Sequence, residues 1–198
     1  MNKQFCAYML SAVLAAGFIA CDSNNEPSGP NFDDLVERGW SRFSEKKYGE
    51  AIDEFRNARA LEQDNAATYT GIGWAQLLQD SLSRANSEFN LGAGKPGAGA
   101  DLFAGWAFSL NAIKNHFASN QKADSVIVYD VNWSFAYGLP LDINDIYILK
   151  AENYFILGDM VNSLTSVQFV NPDFSVDVTT HAGQAALAQE IERLRAAF

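Results

Sequence analysis

The side chains best suited to catalysis or metal binding are few and widely separated in this sequence. Cys6 and Cys21 are the only cysteines, so no thiolate pair remains in the body for a disulfide framework or a metal site. The only histidines, His116 and His181, have no second ligand at metal spacing. Acidic neighbours such as Asp33-Asp34 diverge on a helix. No nucleophile, base and orienting group can be combined, so we expect no enzyme, no metal and no cofactor.

A glycine-rich stretch at residues 92–97 matches a dinucleotide-binding fingerprint only as text. That fingerprint needs a preceding strand and a following helix whose N-terminus meets the pyrophosphate. Pro96 interrupts the stretch, and Lys95 is followed by proline where a phosphate-binding Walker loop has serine or threonine. We therefore predict a loop between repeats.

The first twenty residues have the pattern of an export signal. Lys3 precedes an apolar run at residues 5–20, which is shorter than the roughly 20 apolar residues of a membrane span. The run ends in Phe18-Ile19-Ala20-Cys21, which resembles the lipobox of bacterial lipoproteins. This resemblance implies a signal peptide at residues 1–20 and a lipid, including palmitate, on Cys21; the alternative is an ordinary signal with an incidental cysteine.

Residues 21–30 contain turn-forming and polar residues and no large apolar side chain, which is typical of a flexible tether. The lipobox resemblance implies a lipid-anchored protein of the bacterial cell envelope. We expect the outer membrane, on its periplasmic or its surface face. Asp22 directly after the cysteine resembles an inner-membrane retention signal of some lineages, so the inner membrane stays open.

The overall charge argues against one class of partner. Asp and Glu number 24 and Lys and Arg 14, for a formal charge of −10. Non-specific nucleic-acid binding depends on Lys and Arg that neutralise phosphates. We therefore expect no nucleic-acid partner.

Three short segments repeat along the body of the chain: Arg38-Gly39-Trp40-Ser41, Ile72-Gly73-Trp74-Ala75 and Ala104-Gly105-Trp106-Ala107. The first two lie 73 − 39 = 34 residues apart, which is the period of tetratricopeptide repeats (TPR), each a helix-turn-helix. Residues 39–58 closely resemble that family, with small residues where its helices cross.

The resemblance implies an all-α TPR-like solenoid over residues 31–198, with about four helical hairpins. The fourth covers residues 146–172. The third is expected to be irregular, with its second helix displaced to about residues 123–130. A last helix from about His181 has apolar residues at three- and four-residue spacing and is predicted to cap the open end.

Local signals fit helix boundaries. None of the five prolines falls inside a proposed helix. Asn31, Asp64 or Asn65, and Asp142 are candidate N-caps, and Asp145 in the first turn supports the last of these.

Trp40, Trp74 and Trp106 each follow the small residue at which the two helices of a unit cross. In the TPR family that position faces the concave groove. The three tryptophans are therefore predicted to form an aromatic ladder that anchors a partner. The alternative is that the C-terminal helix folds into the groove and covers them.

Residues 131–143 exceed the length that a repeat linker requires. Trp133, Phe135 and Tyr137 alternate there, and we predict an extended segment across the solenoid. Long structured loops often contact ligands; the alternative is a packed lid without a partner.

The leading functional hypothesis is a lipid-anchored envelope scaffold that binds other envelope proteins through a TPR groove. One rival is a surface lipoprotein that binds a small ligand or glycan on the aromatic groove. The other is a structural subunit that self-associates, because solenoids with a weak cap stack end to end.

Overall fold

The computed structural model describes residues 29–197. Cys21, the signal peptide and most of the tether therefore lie outside the described residues. Within the described part, helix follows helix in the order α1 Phe32–Ser44, α2 Tyr48–Leu61, α3 Ala66–Leu78, α4 Leu82–Gly92, α5 Ala100–Ala112, α6 His116–Tyr129, α7 Ile143–Ile156, α8 Met160–Val170 and α9 His181–Ala197. None of these described helices has the length and apolar content to cross a bilayer.

The helices pair into four consecutive hairpins, α1/α2, α3/α4, α5/α6 and α7/α8. Each hairpin turn contains one residue with a left-handed backbone; these are Lys46, Asp80, Lys114 and Gly158. The first three are spaced by 80 − 46 = 34 and 114 − 80 = 34 residues. The predicted all-α TPR solenoid is therefore confirmed for the described residues.

The helix starts form where the sequence predicts them. Asn31 and Asp142 each build a capping box, with Asp34 and Asp145 as the reciprocal partners. The side chain of Asn65 accepts from the backbone of Ala67 at the start of α3. Such caps satisfy backbone N–H groups that have no partner within the helix.

Phe55 on α2 shows how small residues set the spacing of the hairpins. Its ring is fully buried between Gly39 of its own hairpin and Gly71 of the next. A methyl group at Gly39 would lie 2.6 Å from the ring, and one at Gly71 would lie closer still. Both glycines are needed because a Cβ would occupy the space that the aromatic ring fills.

The third hairpin departs from its predicted form. Its second helix begins at His116, not near residue 123, because the turn at Lys114 keeps the 34-residue period. Ser119 then occupies the crossing position of Ala85, and its hydroxyl donates to the carbonyl of Ala107 at 2.8 Å. The irregularity lies afterwards, in the long connection from α6 to α7, residues 130–142, which we term the groove segment.

The C-terminal helix forms the predicted cap. α9 packs against α7 and α8 and contributes Leu187, Ile191 and Leu194 to a separate apolar cluster with Ile148 and Val167. It therefore closes the end of the solenoid and lies away from the groove tryptophans.

Candidate functional site

The groove segment folds back across the first helices of the first three hairpins. It forms a narrow loop in which Phe135 N–H donates to the carbonyl of Leu141 at 2.8 Å, and Ser134 and Asp142 form an isolated antiparallel bridge. Gly138 has a positive φ of 80° and packs against Ser44 at the end of α1. A loop that starts in the third hairpin thus reaches the first.

Two of the three predicted groove tryptophans are covered by this segment. Trp40 is 7% exposed and Trp74 is 1% exposed. The Trp40 ring stacks on Tyr137 with centroids 3.8 Å apart, and the Trp74 ring lies 4.4 Å from that of Phe135. Trp40 and Trp74 are therefore covered, as in the alternative prediction, but residues 130–142 cover them. The prediction that the C-terminal helix does so was wrong, because α9 packs against α7 and α8.

The third rung of the aromatic ladder was assigned to the wrong residue. Phe89 is buried between Gly73 and Gly105 as Phe55 is between Gly39 and Gly71. Gly105 is therefore the equivalent of Gly71, since 105 − 71 = 34.

The residue that follows Trp40 and Trp74 in register is Phe108, because 108 − 74 = 34. Its ring lies 6.1 Å from that of Trp74. Trp106 and Phe108 are both half-buried, but Trp106 sits two residues out of register, with the Lys122 ammonium 4.0 Å from its ring centroid. The repeated Gly-Trp pair is misleading here because glycine occupies two packing positions on these helices.

Trp133 and Phe135 are buried core residues, with 2% and 6% of their surface exposed. Trp133 Nε1–H donates to Oδ1 of Asp101 at 2.7 Å, and Trp74 Nε1–H donates to the backbone carbonyl of Asp101 at 2.8 Å. Tyr137 is half-buried. The groove segment is therefore a fixed part of the fold, held by both apolar burial and hydrogen bonds.

The groove is not completely filled. A cavity of about 460 Å³ lies beside the groove segment, within the usual size range of ligand sites. Its walls come from α1, the start of α3, the α4–α5 loop, the first turn of α5, the end of α6 and the groove segment. The lining includes Trp40, Gly99, Asp101, Tyr129, Asp130 and Tyr137.

The carboxyl of Asp101 is partly buried in this cavity, where its charged form is disfavoured. Burial raises the pKa of its carboxyl above the ordinary value, the hydrogen bond from Trp133 acts in the opposite direction, and the charge of Asp130 raises the pKa further. Burial also raises the pKa of Tyr137, and the charge of Asp101 adds to this effect. Among the described residues that line the cavity, no Lys, Arg or His balances these two carboxylates.

Sequence reasoning did not identify Asp101 or Asp130. Asp101 lies in the first turn of α5, where an acidic residue is common because it complements the helix dipole, and Asp130 follows α6 and accepts from the backbone N–H of Asn132 in a local turn. The repeat signature contains neither residue, and 29 positions separate them in sequence, 130 − 101. Only the return of the groove segment to α5 brings them to one cavity.

The other sequence candidates lie elsewhere. Residues 93–99 connect α4 and α5, as the predicted loop between repeats, and Gly99 lines the cavity. The two histidines lie apart, on different helices. Nδ1 of His116 lies 2.8 Å from Oδ1 of the buried Asn153, and His181 is exposed at the start of α9.

No protein-family profile and no curated protein matches the chain. Its similarity is to solved structures. YrrB, described as a TPR protein with an unusual peptide-binding site, matches with a TM-score of 0.62 and 13% identity, over 82% of this chain and 75% of its own. MamA matches with a TM-score of 0.57 and 14% identity, over 85% of this chain and 82% of its own. PilF of Pseudomonas aeruginosa matches with a TM-score of 0.58 and 13% identity, over 85% of this chain and 67% of its own. At such identities the similarity establishes the fold alone: the described residues adopt a TPR fold.

Proposed function

We propose that this protein is a lipid-anchored scaffold of the bacterial cell envelope that binds a segment of another envelope protein in the cavity beside its groove segment. Attachment through Cys21 would hold the solenoid near a membrane and leave the cavity free for a partner. Several acyl chains on one cysteine give stable anchoring, whereas one chain holds only marginally.

The observation that carries this proposal is the partly filled groove. The groove segment buries Trp40 and Trp74 but leaves an open cavity of about 460 Å³. Concave surfaces of helical-repeat proteins are their usual binding surfaces. In this protein, the aromatic ladder stabilises one wall of the site, and the partner contacts the residues that remain open.

The structural neighbours add support of a general kind. YrrB, with the same fold, is described as having an unusual peptide-binding site. A peptide partner is therefore a chemically reasonable occupant of a TPR cavity. The fold alone does not transfer a function, so the site itself must be tested.

Site-specific photo-crosslinking in cells tests the proposed partner binding. A photoreactive residue at Tyr129, which is 55% exposed and lines the cavity, is expected to crosslink to an envelope protein. The matched control is Val128, which is 83% exposed but does not line the cavity, and it should not form that product.

A cavity-filling variant makes the crosslinking result specific. At Gly99 a Cβ would meet no atom closer than 4.0 Å. Because Gly99 lines the cavity, we expect the ring of Gly99→Phe to occupy part of it. It should abolish the crosslink from position 129. A product that forms equally from positions 128 and 129, or that survives Gly99→Phe, would contradict binding in this cavity.

Membrane attachment is expected to depend on Cys21. Cys21→Ser removes the thiol that would carry the lipid, so the protein should move from the membrane to the soluble fraction. Cys6→Ser is the control and should remain membrane-bound. Fractionation followed by immunoblotting measures both, and membrane association of Cys21→Ser that resists high salt would refute the lipid anchor.

A further inference from the structure

The cavity combines two unbalanced carboxylates with aromatic walls. Asp101 and Asp130 are its charged lining residues within the described chain, and Trp40, Tyr129, Trp133 and Tyr137 contribute aromatic surface. The indole N–H of Trp133 donates a hydrogen bond to Asp101 but supplies no formal positive charge. Its carboxylate would be stabilised by a positive charge in the open space.

We propose that this cavity is a cation-recognition site that binds an alkylammonium or guanidinium group, in which Asp101 and Asp130 supply the counter-charge and the aromatic rings supply the walls. This inference rests on the proposed function for its biological setting, since a lysine or arginine of the partner would present such a group. A free amine would present the same chemistry.

The charge of the site favours a cation over a neutral sugar. Aromatic rings also stack on sugars, but a sugar would leave the repulsion between the two carboxylates unrelieved. An ammonium or guanidinium group donates charge-assisted hydrogen bonds to carboxylates and is attracted to the faces of aromatic rings. Both groups of lining residues therefore favour the same ligand.

The cost of keeping Asp101 charged is consistent with a binding role. Its carboxyl is disfavoured in the folded protein by burial and by Asp130. Asn could accept the same hydrogen bond from Trp133 without the charge. Residues held against stability in this way often mark binding or catalytic sites.

Binding of small cations to the full chain tests the inference directly. The indole ¹H–¹⁵N signal of Trp133 is the reporter, because its N–H donates to Asp101; it is one of four tryptophan signals and is assigned with Trp133→Phe. The probes are n-butylamine and a capped Gly-Lys-Gly peptide, and the neutral comparison is the same peptide with norleucine in place of lysine. Both amines are expected to shift this signal in a saturable way, and the norleucine peptide is not.

The two probes distinguish the source of the cation. Tighter binding of the lysine peptide than of butylamine would indicate a partner side chain, and equal binding would indicate a free amine. Asp101→Asn and Asp130→Asn should each weaken binding by about tenfold or more, as expected for loss of a charged hydrogen-bonding partner. Asp173→Asn, an exposed aspartate on the loop before α9, carries the same charge change and should bind like the wild type.

Stability provides a second readout that a purely structural role for Asp101 would not give. Because the pKa of Asp101 is raised on folding, its charge disfavours the folded state at neutral pH. Asp101→Asn should therefore have an equal or higher Tm at pH 7. The difference should shrink as the pH falls through the raised pKa of Asp101 and should disappear below the ordinary pKa of an aspartate, where the carboxyl is protonated in both the folded and the unfolded state. Asp130, Tyr129 and Tyr137 are the other titratable groups that line the cavity.

Three results would overturn the cation site: equal binding of the norleucine peptide, unchanged amine binding by Asp101→Asn, or stronger binding of a neutral disaccharide than of either amine. Loss of amine binding while the Tyr129 crosslink persists would reject this inference and leave the proposed function intact. Amine binding without any partner crosslink would reject the proposed function and leave the cation site intact.

Discussion

Replacing Phe135 by alanine is expected to lower the free energy of unfolding by about 3–5 kcal/mol, as for other large aromatic residues removed from a core. Phe135 is 6% exposed, and its ring lies 4.4 Å from that of Trp74 and 5.9 Å from those of Trp40 and Phe43. Its loss would leave a cavity between the groove segment and the first two hairpins. Urea-induced unfolding followed by circular dichroism measures the change.

The control for this prediction is Phe117→Ala. Phe117 is a phenylalanine that is 66% exposed, so the same substitution should change the free energy of unfolding by less than about 0.5 kcal/mol. If Phe135→Ala were as mild as Phe117→Ala, the groove segment would be a detachable lid and the cavity wall would not be fixed.

Trp74→Ala is expected to have a similarly large effect, about 3–5 kcal/mol. Trp74 is 1% exposed, and truncation also removes the hydrogen bond from its indole to the carbonyl of Asp101. That bond fixes the first turn of α5, which supports one side of the cavity. Trp74→Ala should therefore weaken amine binding as well as stability.

Trp106→Ala is the matched control and tests the register of the third hairpin. Trp106 is half-buried and lies outside the aromatic ladder, so its truncation should be clearly less destabilising than that of Trp74. Phe108 is half-buried as well, but its ring lies 6.1 Å from that of Trp74, so Phe108→Ala should be more destabilising than Trp106→Ala. Denaturant unfolding measures these effects. An equal loss of unfolding free energy in Trp74→Ala and Trp106→Ala would contradict the assignment of Phe108 and would support Trp106 as the equivalent of Trp74.

Sequence alone was sufficient for the repeat, for the N-caps at Asn31 and Asp142 and for the capping helix, but it misplaced the start of the second helix of the third hairpin. The N-caps and the apolar period of α9 depend on contacts within a few residues or one helical turn, and the 34-residue spacing is visible because the hairpin recurs along the chain. Such signals survive in a single sequence because local backbone chemistry produces them. The four hairpins follow from them once the turns are placed.

The composition of the candidate site depended on the tertiary structure. Trp40, Trp74 and Phe135 could each be singled out by type, but their mutual contact needs a loop from the third hairpin to return to the first. The same return brings Trp133 and Asp130 to Asp101. Pairings over so many residues have no periodic signal, because they depend on which side chains fill the groove and not on backbone chemistry. The sequence therefore determined the solenoid and the aromatic positions on it, whereas packing of the groove segment decided which of those positions are core, and placed two carboxylates at the space that remains open.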